Sequence, residues 1–171
     1  YHLNGLYIQP DINKAFYYLK PAAEHNDPEA QYIIGNLYIY LNSDSRLISK
    51  GLDFLIQSSK NKFNEAYFPV AFFYHEGKHI SQDINKAISN YKEASSLNDQ
   101  CAKNNLGIIY KNGIKNKIPK NIGFAIEYFK ENIDRFEDKI SMYNLSHIYI
   151  YEINTKEKID ESIELLIEST K

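Results

Sequence analysis

Small and apolar residues recur along this chain at helical spacing. Ala30, Ile34 and Tyr38 lie four apart, as do Ala102, Leu106 and Tyr110, so each set forms one stripe on a helix of 3.6 residues per turn. A second kind of stripe alternates with the first: Ala15, Leu19 and Ala22, and again Ala87, Tyr91 and Ala94, fall at i, i+4 and i+7. We call the two kinds helix A and helix B. Asp27, Pro28 and Glu29 read as an N-cap, a proline at the first helical position and an acid facing the positive end of the helix dipole. Asp11, Asp83 and Asn121 stand where they can cap helix B in the same way.

The two helices repeat together. An apolar-small-x-x-Tyr pattern ends at Tyr38, Tyr74, Tyr110 and Tyr149, with its small position filled by Gly35, Ala71, Gly107 and Ser146, and an imperfect copy runs from Leu3 to Tyr7. From Tyr38 onward the tyrosines are spaced 36, 36 and 39 residues. The small residue of helix B recurs as Ala15, Gly51, Ala87, Ala125 and Ser162, spaced 36, 36, 38 and 37. The segment Asp11–Ala15 is repeated letter for letter as Asp83–Ala87, 72 residues on, which is two periods. Two anchors sharing one period predict a single repeat array over 1–171, in units near 1–25, 26–61, 62–97, 98–136 and 137–171.

Glycine inside a helix costs about 1 kcal/mol relative to alanine, so Gly35 and Gly107 need a compensating gain, and close helix approach supplies it. By the same reasoning Ala15, Ala22, Ala30, Ala71, Ala87, Ala94, Ala102 and Ala125 are contact positions, and Tyr38, Tyr74, Tyr110 and Tyr149 fill the wider gaps. One hairpin has two apolar stripes and cannot cover both alone, so hairpins must stack into a solenoid. Local signals dissent at His147–Ile153 and Leu37–Leu41, which alternate like strands, but the repeat register places both at the ends of helices A. Pro69 is expected to kink its helix after the first turn.

These residues carry a family resemblance. "DINKAFYYLKPAA", "DPEAQYIIGNLY" and "QDINKAISNYKEAS" combine a Leu-Gly-x-x-Tyr helix, an Asp-x-x-Lys-Ala helix and a closing small pair, and the chain resembles the Sel-one-like repeat (SLR) family, related to the tetratricopeptide repeats. Ser58-Ser59 and Glu131-Asn132 depart from the alanine pair, and Ser146 from the glycine. The resemblance implies an all-α, right-handed α/α superhelical solenoid of about five helix-turn-helix repeats, acting as an adaptor or scaffold, and it implies no catalytic residues.

Composition narrows the partner classes. Lys and Arg total 20 against 22 acids, a net charge of −2, so no bulk positive field collects nucleic acid or anionic lipid. The longest nearly apolar run, 66–74, is far short of the ~20 residues that span a bilayer. One cysteine, Cys101, forms no internal disulfide framework and leaves the compartment open, with the cytoplasm favoured. The chain opens on Tyr1 within a patterned segment and has a single methionine, Met142, so an excerpt of a longer protein is expected.

The sharpest catalytic lure is His75-Glu76-Gly77-Lys78-His79, an H-E-x-x-H sequence that on a helix would bind zinc. Register argues against it: Gly77 falls three residues past Tyr74, as Gly113 falls three past Tyr110, a helix-ending position that puts His79 in a loop. His2, His25 and His147 adjoin no ligand cluster, and no metal or cofactor is expected. Cys101 reads as a small buried residue at a helix start. The Asn144-Leu145-Ser146 sequon overlaps the packed small position. No phosphate loop is present, and the tyrosines recur at core positions without the basic groove of a single-strand binder.

The expected function is a noncatalytic protein–protein interaction scaffold in signalling or regulation, binding a peptide or protein segment along a concave helix A surface. The alternative is part of an enzyme, as a zinc hydrolase or as an array attached to a catalytic domain outside the chain. Helix A positions not needed for packing are Gln31, Asn36, Tyr67, Phe72, Lys103, Ile108, Tyr143 and His147, with Phe72 and Ile108 apolar at one place in consecutive units.

Overall fold

The structure, a computed structural model, describes residues 12–41 and 43–170. Those residues form α1 (Ile12–Glu24), α2 (Pro28–Leu41), α3 (Ser45–Lys60), α4 (Asn64–Glu76), α5 (Ile84–Ser96), α6 (Gln100–Asn112), α7 (Ile122–Phe136), α8 (Lys139–Ile148) and α9 (Lys156–Ser169). Helices A are α2, α4, α6 and α8; helices B are the odd-numbered ones. Among the described residues the only β pairing is an isolated bridge between Ile114 and Ile118, in the loop after α6. The chain divides into two compact units, 1–70 and 71–171, the division falling within α4, which contains Pro69.

In the first unit α2 and α3 meet at their glycines. A Cβ on Gly35 would stand 2.8 Å from the Gly51 carbonyl oxygen, and one on Gly51 would stand 2.6 Å from that of Gly35. No L side chain fits either place without moving a backbone. Ala23, Ala30, Ile34 and Phe54 form the buried core beside this contact, with Phe16, Leu19, Ala22, Leu37 and Tyr38 packed against it. Ala15 and Ala22 are only half-buried, and Ala23 takes the enclosed position expected of its neighbour.

In the second unit other small residues occupy the corresponding places of the period. Ala71 and Ala87 are fully enclosed, as are Ala94, Ala102 and Ala125. Gly107 lies under Phe129, whose ring carbon a Cβ would meet at 2.5 Å. Ser146 and Ser162 fill the last pair of positions, and each hydroxyl donates to a carbonyl three residues earlier in its own helix, Tyr143 at 2.8 Å and Ile159 at 2.6 Å. That bond lets serine serve as a small apolar surface, since a buried hydroxyl is costly only when unpaired. Ala125, Phe129, Leu145, Ile148 and Tyr149 form the core here, with Ile108, Tyr110, Ile122 and Leu165 against it.

Turn chemistry sets the helix starts. Each of six carboxylates or amides, on Asp27, Asp44, Asp83, Asp99, Asn121 and Asp138, accepts from a backbone N–H of the first turn at 2.7–3.1 Å. Asp11 and the Leu3–Tyr7 copy lie outside the described residues. The residue before the cap is left-handed at Asn26 (φ 66°), Asn98 (φ 66°) and Glu137 (φ 52°). Asparagine adopts that conformation more readily than most residues, which explains why Asn26-Asp27 and Asn98-Asp99 are identical dipeptides 72 apart. The strand-like run at the end of α8 is helical to Ile148 and then winds as a π-turn, Tyr149–Ile153, closed by Asn154 N–H donating to Tyr149 C=O at 2.9 Å.

Gly51→Val is expected to destabilise the chain by about 1–3 kcal/mol through overpacking. The exposed Tyr40→Val is expected to stay within about 0.5 kcal/mol. Urea unfolding followed by circular dichroism reads both.

Candidate partner-binding surface

The eight predicted surface positions separate once their surroundings are known. Gln31 is fully buried: its amide donates to Ala23 C=O (3.1 Å) and Gln57 Oε1 (3.3 Å), and its carbonyl accepts from Asn61 Nδ2 (3.0 Å). It ties α1, α2 and α3 together and presents nothing to a partner. Lys103 is likewise buried, 1 % exposed, with its ammonium bonded to Glu131 of α7. Both corrections have one cause. A polar side chain on the packed side of helix A is tolerated because a helix B supplies its partner some 26–28 residues later.

Asn36 and Tyr67 are partly exposed in the first unit. In the second unit Phe72 on α4 is 44 % exposed, whereas Ile108 leans on the α7–α8 core and shows only part of its side chain. Tyr143 is 57 % exposed, and His147 is partly exposed with its ring 4.5 Å from that of Tyr151. The His147 Nδ1 atom itself is enclosed and has no hydrogen-bond partner among the described residues.

Two further side chains extend this stripe. Ile140 and Tyr151 are 59 % and 70 % exposed and continue the series 140, 143, 147, 151 along α8 and its π-turn. The i, i+3, i+7 spacing was visible in the letters; what hid it was the strand-like look of the segment. The stripe runs beside α6, and Lys111 of α6 donates to Asn144 Oδ1 of α8 at 2.7 Å. Burial pushes the Lys111 ammonium below its ordinary pKa, with Glu152 pulling the other way.

Beneath the stripe lies a polar junction of α6 and α8. Asp138 accepts from Gln100 (2.5 Å), Asn104 (2.9 Å) and the Ser141 N–H (2.7 Å), while Ser141 Oγ donates to Asn104 Oδ1 at 2.6 Å. Burial alone would raise the Asp138 pKa, but the bonds from Asn104, Ser141 and Gln100 outweigh it and hold the carboxyl below its usual value. Asn132, fully buried at the second position of the degenerate pair, donates to Gln100 C=O at 3.0 Å.

The catalytic and modification candidates resolve separately. α4 ends at Glu76, Gly77 has φ 69° and His79 φ 63°, so the two histidines do not share a helical face. His75 instead turns its ring edge-on to Tyr91, 6.0 Å between centroids. Among the described residues no group of three or more potential ligands gathers around a metal position. Cys101 is exposed, not buried as expected, because it sits on the outward side of the first turn of α6. Partial burial of its sulfur, with Asp99 and Asp138 nearby, raises the thiol pKa and disfavours a reactive thiolate. Asn144 and Ser146 are both buried. Among the described residues no helix is long and apolar enough to cross a membrane.

Two outcomes follow. Because the folded-state pKa of Asp138 is depressed, its carboxylate stabilises the fold above the unfolded value of about 3.9 and that contribution fades as pH falls through the folded one. Asp138→Ala, which also removes a cap, is expected to cost about 1–2 kcal/mol at pH 7 and to flatten the acid limb of a melting-temperature profile. Metal analysis of protein purified after zinc loading and dialysis is expected to return no stoichiometric zinc.

The model of the Sel1 repeat matches residues 1–27, 28–62, 64–99, 102–131 and 139–169. Among curated proteins, none matches the chain. Among solved structures, the chain is similar to a Sel1 repeat protein from Oxalobacter formigenes, with 15 % identity and a TM-score of 0.74 over 93 % of this chain and 46 % of that one. It is similar to c5321, a protective antigen of uropathogenic Escherichia coli strains that displays an SLR fold, with 18 % identity and a TM-score of 0.78 over 94 % and 33 %. Cysteine rich protein B of Helicobacter pylori is 24 % identical, with a TM-score of 0.53 over 80 % of this chain and 96 % of that one. The chain thus spans less than half the length of the first two. These likenesses show the fold, an all-α Sel1-repeat solenoid of about five repeats.

Proposed function

From the premise that the chain belongs to the Sel1-repeat family, whose members are generally noncatalytic protein-interaction scaffolds, we propose that it holds a partner protein segment on helices A. The observation that carries this reading is the exposed stripe Ile140, Tyr143, His147 and Tyr151. Rigid aromatic rings with polar tips, set beside aliphatic surface, suit an amphipathic helix or an extended peptide, because ring area is buried at little entropic cost. Ile108 and the Lys111–Asn144 bond border the stripe and offer a polar edge for orienting the segment. Phe72 is the apolar side chain on α4 at the same place in the period as Ile108.

A scaffold role in signalling or regulation fits such a surface: its affinity is set by a few anchors and tuned by substitutions that leave the hairpins intact. The alternative of an array serving an attached catalytic domain calls for the same surface, and differs only in what the bound segment belongs to.

The test places a photo-crosslinking amino acid at Tyr143 and, separately, at the exposed Tyr40 of the first unit, in cells of the source organism. Capture of the same protein from Tyr143 and not from Tyr40, abolished by Ile140→Glu with Tyr151→Glu while the melting temperature holds, is the expected result. Capture that survives both substitutions removes the stripe from the function.

A further inference from the structure

A second site follows from a break in the repeat that the letters alone do not display. In three units the tyrosine ending helix A carries a lysine ammonium over its ring: Lys50 over Tyr38 at 5.4 Å, Lys86 over Tyr74 at 5.1 Å and Lys158 over Tyr149 at 5.0 Å. Lys50 and Lys86 occupy the position just before the small residue of helix B, before Gly51 and Ala87. In the unit formed by α6 and α7 that position, before Ala125, is Phe124. Among the described residues no ammonium lies over the Tyr110 ring, which instead meets Phe124 edge-on at 5.3 Å and stacks parallel to Tyr128 at 6.0 Å.

A cavity opens beside these three rings. It has a volume of about 210 Å³ and is lined by Lys92 of α5, Tyr110 of α6 and Phe124, Glu127, Tyr128 and Glu131 of α7. Sites for drug-sized ligands run to about 300–1,000 Å³, so this one is sized for a single side chain. Three of its six lining side chains are aromatic rings and two are carboxylates. Glu131 already holds the buried Lys103 and lies 3.5 Å from Arg135, but Glu127 forms no ion pair among the described residues. The Tyr128 hydroxyl senses the balance of charge: burial first, then Tyr110, Glu127 and Glu131, all raise its pKa.

We propose that the Tyr110–Phe124–Tyr128 pocket binds an arginine side chain of a partner protein, its guanidinium stacked on a tyrosine face and paired with Glu127, in place of the lysine that the other units supply from within. A planar guanidinium is the cation suited to this lining, since it stacks on rings and grips a carboxylate in two places, where an ammonium acts as a point charge. Lys92 is the one cation in the lining and competes with the ligand. The site is separate from the α8 stripe and does not depend on it.

The test is a titration of the 171-residue chain with Nα-acetyl-arginine amide, observed through the aromatic NMR signals of Tyr110, Phe124 and Tyr128. Nα-acetyl-citrulline amide, the uncharged isostere, is the control probe. Saturable shifts with the arginine probe alone are expected, weakened about fivefold or more by Glu127→Gln. Phe124→Lys, which restores the internal cation at a half-exposed position, is expected to abolish them with the melting temperature retained. Lys92→Ala is expected to strengthen binding. Equal shifts with citrulline, no saturable shift in the wild-type chain, or full binding by a folded Phe124→Lys variant would each overturn the proposal.

Discussion

The described helices depend on one steric condition: small residues at fixed places of the repeat, which in α2 and α3 let the backbones come closer than an ordinary side chain permits. Gly35 against Gly51 is the extreme, with each carbonyl occupying the space the other residue's Cβ would need. Alanine at Ala71 and Ala87 and self-bonded serine at Ser146 and Ser162 mark the same places in other hairpins. Close approach trades helix propensity for dispersion contacts along the rest of the interface, and a packed Leu or Phe makes dozens of these. It also positions each terminal tyrosine at the start of helix B, where a cation can reach it.

This condition is why so much of the fold was legible. A slot that accepts only Gly, Ala or Ser leaves a small letter at a fixed period, and the tyrosine and the capping aspartate leave two more. Helix starts at Asp27, Asp83 and Asn121 could be read because a cap is a local, side-chain-to-backbone matter. Gln31 and Lys103 could not be read. Whether such a residue faces water or a buried partner depends on Gln57, Asn61 or Glu131, on other helices, and no local pattern records that pairing. Cys101 was misplaced for a simpler reason: its neighbours Ala102 and Lys103 take the inward directions of the first turn.

The candidate surfaces follow the same division. The period marks Tyr143 and His147 as helix A positions, while Ile140 and Tyr151 were masked by a segment whose alternation suited a strand as well as a helix. The arginine pocket has no signature until three lysine–tyrosine contacts are seen together, since Phe124 by itself is an unremarked apolar residue beside a small one.

The buried polar residues give the hairpins an order. The Gln31 cluster is completed by Ala23 C=O and Asn26 Oδ1 on one side and by Gln57 and Asn61 on the other. The α6–α8 junction likewise closes only when Gln100 and Asn104 face Asp138 and Ser141. A wholly apolar stack would accept its hairpins in any sequence, since one greasy face fits another. Here a shuffled stack would strand an amide or a carboxylate out of water, at a cost of about 1–3 kcal/mol for each neutral group and more for a charged one. The hairpins share a period and are addressed by their hydrogen bonds, so the array carries its own assembly instructions in the few polar residues that look, letter by letter, most like surface.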